Sequence, residues 1–148
     1  MSEYDYTHVV QADNKSVATK RSLSILLADD DVDTVITLAA MLRDEGHVVH
    51  TCADPNLVLE AIERYKPEVC ILDIVMPGKT GFSIARTIIR MNLPKRPFLI
   101  ALSGVFTRPQ DDMVAKSAGY DRLVRKGGDP RKLLDLIDEL ASQPPAAA

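Results

Sequence analysis

Residues 23–31 read LSILLADDD. Six almost wholly apolar residues run straight into three aspartates. An unbroken apolar run this short suits a strand buried on both faces, because both rows of its side chains leave water. Residues 69–73 repeat the pattern as VCILD and again end in an acid. Two buried strands that each end in carboxylates frame the reading of the rest.

Outward from these runs the chain alternates. Residues 32–45 read as a helix that stops at Gly46, and 47–52 (HVVHTC) as a strand rich in β-branched residues. Asp54-Pro55 is a helix start, a capping acid followed by proline at the first helical position. Val58, Ala61, Ile62 and Tyr65 give that helix an apolar stripe, and Lys66-Pro67 ends it. A third helix covers 81–91, with Phe82, Ala85 and Ile89 on one face. Residues 98–103 (FLIALS) form a fourth strand, 109–118 a more polar helix, and 122–125 a short fifth strand. Asp129-Pro130 opens a last helix striped by Leu133, Ile137 and Leu140. Strands alternating with helices predict an α/β fold with a parallel sheet covered on both faces. Right-handed crossovers favour the flavodoxin-like (βα)5 order 2-1-3-4-5, which puts the site at the C-terminal ends of strands 1 and 3.

The chain has 148 residues, 46% apolar and 26% charged, with formal net charge −3 and pI about 5.6. That suits one globular domain and argues against nucleic-acid binding, which usually shows a basic field. No apolar run is long enough to span a membrane, and residues 1–22 lack a signal-peptide pattern. We expect a cytoplasmic protein, with a flexible extension over 1–22, a folded domain over 23–142 and a tail over 143–148. Tyr4, Tyr6, Val9 and Val10 give the extension a candidate docking strand.

Asp29, Asp30 and Asp31 close the first strand and Asp73 the third. As neighbours these strand ends stand about 5 Å apart. Carboxylates crowded at one rim repel one another unless protons or a cation offset them. Hard oxygen donors that leave room for water suit Mg²⁺, with Mn²⁺ as the alternative ion. The fourth strand ends in Ser103 and the small Gly104, and the fifth runs into Lys126, a point charge suited to a phosphoryl oxygen. Each residue alone has an ordinary structural explanation. Asp31 is placed to cap the first helix, Asp73 a loop and Ser103 a turn, and Lys126 can be a surface lysine. Four strand ends each delivering a suitable group are harder to explain that way.

Other signals carry less. Gly78-Lys79-Thr80 resembles the end of a P-loop, but the glycine required five residues earlier is Asp73. Cys52 and Cys70 fall on strands separated by another, nearly 10 Å apart, beyond the roughly 7 Å limit for a disulfide. His8, His47 and His50 are scattered, with surface or edge roles expected.

The segments ILLADDD, CILDIVMPGKTG, IALSG and AGYDRLVRK, in this order and separation, resemble the receiver domains of two-component response regulators. The resemblance implies that Asp73 is the phosphoacceptor. It implies Mg²⁺ held by Asp30, Asp73 and the backbone carbonyl of Val75, with Asp29 acting through water. Ser103 would be the switch hydroxyl, with Gly104 beside it, and Lys126 would contact the phosphoryl group. The implied partners are a sensor histidine kinase or histidine phosphotransfer protein and a downstream protein target, with the chain a monomer or weak homodimer. Two departures stand out. Leu123 occupies the position of the usual switch aromatic, which predicts a smaller shift across the last strand and helix. Gly127-Gly128 follows Lys126 where proline is usual. No output domain follows, so the expected roles are a stand-alone switch, a relay intermediate or phosphate sink, or a module of a larger hybrid kinase or regulator. The expectation is an acceptor rather than an enzyme. A phosphohydrolase using Asp73 would want a second acid at position 75, which is valine.

Overall fold

The computed structural model describes residues 20–76, 78–104 and 108–144. The candidate docking strand and His8 lie outside them. Five parallel strands form the main sheet: β1 (Ser24–Ala28), β2 (Val48–Cys52), β3 (Val69–Asp73), β6 (Phe98–Ser103) and β7 (Arg122–Arg125), in the order β2-β1-β3-β6-β7. This is the 2-1-3-4-5 order expected of the five strands. Ile25 pairs in register with Val69, Asp73 with Leu102 and Ser103 with Arg125. The acidic ends of β1 and β3 are therefore adjacent, with β6 and β7 completing the same edge.

The strands alternate their side chains between two cores, as strand geometry demands. Leu26, Ala28, Cys70 and Leu72 face one, with α2 (Val58–Tyr65), α3 (Gly81–Arg90) and α4 (Asp111–Ala118). Ile25, Leu27, Val69 and Ile71 face the other, with α1 (Val32–Asp44) and α5 (Arg131–Ala141). Cys52 and Cys70 are free and buried, on strands that flank β1.

The capping chemistry follows the acids. Asp31 caps α1, accepting from the Asp33 N–H at 3.2 Å and the Thr34 hydroxyl at 3.0 Å. Asp54 accepts from the Asn56 N–H at 2.9 Å and opens a single 3-10 turn, Pro55–Leu57, ahead of α2. Gly46 takes φ +95° after α1, a conformation open to glycine at little cost.

Three local expectations are corrected, and one segment gains an element that the sequence did not suggest. The buried face of α3 is Ile84, Ala85 and Ile88, whereas Ile89 is 41% exposed. Gly81 packs against the end of β3, so the residues three, four and seven places on face the sheet. The polar helix starts at Asp111, not 109, because the Arg108 N–H donates to the Asp111 carboxylate at 2.8 Å and holds the chain back. A two-stranded antiparallel hairpin, β4 (Val75–Met76) and β5 (Lys79–Thr80), fills the segment between β3 and α3. His47, at the head of the edge strand β2, is not on the surface. It is buried, and its Nδ1 accepts from the Leu23 N–H at 3.0 Å.

The chain is fastened to the domain from its first described residues. Lys20 pairs with Asp138 of α5 at 3.2 Å, and the Arg21 N–H donates to the Ala141 carbonyl at 2.9 Å. Among the described residues no helix is long and apolar enough to cross a membrane.

Candidate functional site

At the shared edge, one carboxylate oxygen each from Asp29, Asp30 and Asp73 lie within 4.8 Å of one another. Asp29 is fully buried and Asp73 nearly so, while Asp30 is exposed. β1 carries Asp29 into the protein, and its N–H donates to the Cys52 carbonyl at 3.2 Å. The turn then releases Asp30 to solvent before Asp31 begins the helix. Each acid of the run thus has a separate place, one buried, one open and one capping.

Lys126, just past β7, bridges the two buried acids. Its Nζ lies 2.8 Å from Asp29 Oδ2 and 3.1 Å from Asp73 Oδ2. The Asp73 contact is a hydrogen bond. The shorter Asp29 contact is an ion pair off the hydrogen-bonding direction, and it leaves the buried Oδ2 without an aligned donor. The other oxygens are held by the backbone. The Asp31 N–H donates to Asp29 Oδ1 at 2.9 Å, and the Val75 N–H to Asp73 Oδ1 at 3.2 Å.

Burial first, and then the charge of Asp29, raise the pKa of Asp73 above the usual carboxylate value, with the Lys126 hydrogen bond pulling it back. Burial alone would lower that of Lys126, but its bonds to Asp29 and Asp73 outweigh it and the net shift is upward. Three carboxylates around one ammonium leave uncompensated negative charge. The donors are hard oxygens, one of them buried without an aligned partner, and one side is open to water through Asp30. That donor set fits a small divalent cation.

Ser103 is fully buried at the end of β6, and its carbonyl accepts from the Lys126 N–H at 2.7 Å. A Cβ at Gly104 would lie 3.8 Å from Lys126 Cβ, so this residue borders the lysine stem. Val75 is 52% exposed at the rim. Leu123 is not part of the cluster. It sits further back on β7, opposite Ala101, half-buried against the core of α2, α3 and α4. There is no cis peptide bond among the described residues, and Gly127 takes φ +80°.

Two residues at the site escaped the sequence reading. A Cβ on Gly81 would lie 2.4 Å from the Tyr120 hydroxyl and 2.5 Å from the backbone oxygen of Asp73. Both residues fall in segments quoted above, but contact between positions so far apart in the chain leaves no local signal.

A family profile described as the response regulator receiver domain matches residues 25–138. A Leptolyngbya boryana protein, described only as an uncharacterized 14.6 kDa protein, is 32% identical over 122 residues, covering 82% of this chain and 92% of that one. The chain is similar in structure to a Francisella response regulator receiver domain, with TM-score 0.74 at 20% identity, covering 81% of this chain and 97% of that one. It is also similar to the chemotaxis response regulator CheY4 of Vibrio cholerae, with TM-score 0.73 at 24% identity over 81% and 99% of the two chains.

Proposed function

The chain belongs to the response regulator receiver domain family, and we propose that Asp73 is its phosphoacceptor. The donor is the phosphohistidine of a sensor histidine kinase or a histidine phosphotransfer protein. The observation that most supports this is the gathering of Asp29, Asp30 and Asp73 oxygens within 4.8 Å of one another, with the ammonium of Lys126 paired to Asp29 and Asp73.

An Asp73 oxygen attacks phosphorus, the P–O bond forms as the P–N bond to the donor breaks, and the donor imidazole leaves neutral after taking a proton. Lys126 changes partners during this step. Its ammonium, now on Asp73 Oδ2, moves to a phosphoryl oxygen while Asp29 continues to hold it. The Val75 N–H keeps the carboxyl plane of Asp73 oriented, and Ser103 and Gly104 border the incoming group. Asp30, Asp73 and the Val75 carbonyl would hold Mg²⁺ or Mn²⁺, with Asp29 acting through water. When bound, the ion neutralises charge on the phosphoryl oxygens and fixes their direction, the main needs of phosphoryl transfer.

We read this as a switch and not a turnover enzyme, because position 75, where a phosphohydrolase would want its second acid, is valine. The receiver unit is 23–142, flanked by the extension 1–22 and the tail 143–148. The reading places it in the cytoplasm beside its phosphodonor, as a monomer or weak homodimer. Its output is a protein target or a relay step, with no nucleic acid bound. Incubation with Mg²⁺ and a small phosphodonor tests it. A switch gives one labile phosphoryl group per chain. A phosphohydrolase gives many turnovers, and a chain that only binds partners gives none.

A further inference from the structure

Tyr120 stands at the turn from α4 into β7 and is 2% exposed. Its N–H donates to the Ala115 carbonyl at 3.0 Å, and its ring meets Phe82 of α3 edge-on at 6.2 Å. Its hydroxyl has no hydrogen-bond partner among the described residues. A buried tyrosine hydroxyl usually finds one, so an orphan asks for an explanation.

Its position supplies one. A Cβ on Gly81 would meet the Tyr120 hydroxyl at 2.4 Å, the Asp73 backbone oxygen at 2.5 Å and Ile74 Cα at 2.8 Å. The hydroxyl and the Asp73 carbonyl therefore crowd the same point, and only a glycine leaves them room. The Ile74 carbonyl next door already accepts from the Gly81 N–H at 2.7 Å. Burial first, and then the negative charge of Asp73, raise the pKa of the phenol, so it stays protonated and able to donate. Tyr120 thus lies behind the residue whose carboxylate faces Lys126.

We propose that Tyr120 is a positioning residue whose hydroxyl, unpaired at rest, gains the Asp73 backbone carbonyl as acceptor when the β3–α3 segment adjusts to a phosphoryl group. This rests on the reading of Asp73 as acceptor and adds a route for the signal. A ligand shifts an equilibrium only through interactions that differ between the two states, and a hydrogen bond made in one state alone is such a difference. Leu123, with no hydroxyl, cannot make it. Tyr120 lies in the turn that joins α4 to β7, so its movement reaches both.

The test uses the full chain with Mg²⁺ and beryllofluoride, a phosphoryl mimic, in wild type, Tyr120→Phe and Asp73→Asn. Phenylalanine keeps the ring against Phe82 and removes only the hydroxyl. Wild type should bind the mimic, with a change in the Tyr120 Cζ NMR shift. Tyr120→Phe should bind it roughly threefold to tenfold more weakly, yet unfold no more easily without it. Equal affinity with a silent Tyr120 signal overturns the proposal, as does a loss of resting stability in Tyr120→Phe, which would mean that the hydroxyl was already paired. Wild type failing to bind, or Asp73→Asn binding equally well, overturns the acceptor reading and this proposal with it.

Discussion

Lys126 Nζ stands 2.8 Å from Oδ2 of Asp29, a carboxylate with no solvent exposure. The same ammonium also serves Asp73, so removing it leaves two buried acids without their counter-charge. Lys126→Met, which keeps the apolar stem, should cost about 1–3 kcal/mol of stability at neutral pH without divalent cation. The loss should shrink when Mg²⁺ is added. Urea unfolding with and without Mg²⁺ checks this, and a loss indifferent to Mg²⁺ would count against the shared-charge account.

The exposed acid predicts the opposite sign. Asp30→Asn removes a repelling charge, so the metal-free protein should become slightly more stable while its response to Mg²⁺ falls. In wild type, binding at a hundredfold excess over Kd should add about 2.7 kcal/mol. Thermal unfolding across a MgCl₂ series measures both. An unchanged Mg²⁺ response in Asp30→Asn would remove that residue from the ion's ligands.

The His47 Nδ1 accepts the Leu23 N–H, so the ring is neutral with its proton on Nε2. Burial lowers its pKa, with Asp138 and Glu45 opposing. The unfolded chain then binds the proton more readily than the folded one. Stability from this group is fully present above the ordinary histidine value of about 6.5 and is lost as pH falls through the lower folded value. His47→Gln, which offers an acceptor that does not titrate, should show a flatter stability profile between about pH 7 and pH 5. Equal slopes in urea unfolding would show that His47 is not the titrating group.

Gly81 predicts a steric loss. An added methyl group would meet two backbone atoms, at 2.5 and 2.8 Å, that cannot swing aside. Gly81→Ala should cost about 1–3 kcal/mol, the usual range for overpacking, and should disturb the amide signals of Asp73 and Val75. A variant as stable as wild type, with those signals unmoved, would show that the α3 start has slack.

What could be read in the sequence was what repeats along it. The apolar runs at 23–28, 69–72 and 98–102 had no other stable place than buried strands, and their order brought Asp29, Asp30, Asp73, Ser103 and Lys126 to one edge. The division of labour in the DDD run was half legible. Asp31 was assigned to the cap, but nothing local marked Asp29 as buried and Asp30 as open. The face of α3 was misjudged because its rotation is set by Gly81 meeting the Asp73 carbonyl, a contact that periodicity does not encode. The burial of His47 was hidden for the same reason, since its partner is the Leu23 N–H, just ahead of β1 and distant in the chain. Tyr120 could not be read at all, since its role depends on what it lacks.

The central claim is that Asp73 alone accepts the phosphoryl group, and it has one direct measurement. Wild type and Asp73→Asn are treated with Mg²⁺ and a small phosphodonor, and peptide mass spectrometry locates the added group. The account predicts one phosphoryl group per wild-type chain, on the peptide containing Asp73, lost on mild base or hydroxylamine treatment, and none on Asp73→Asn. Full labelling of Asp73→Asn, or a stable modification on another residue of wild type, would contradict it.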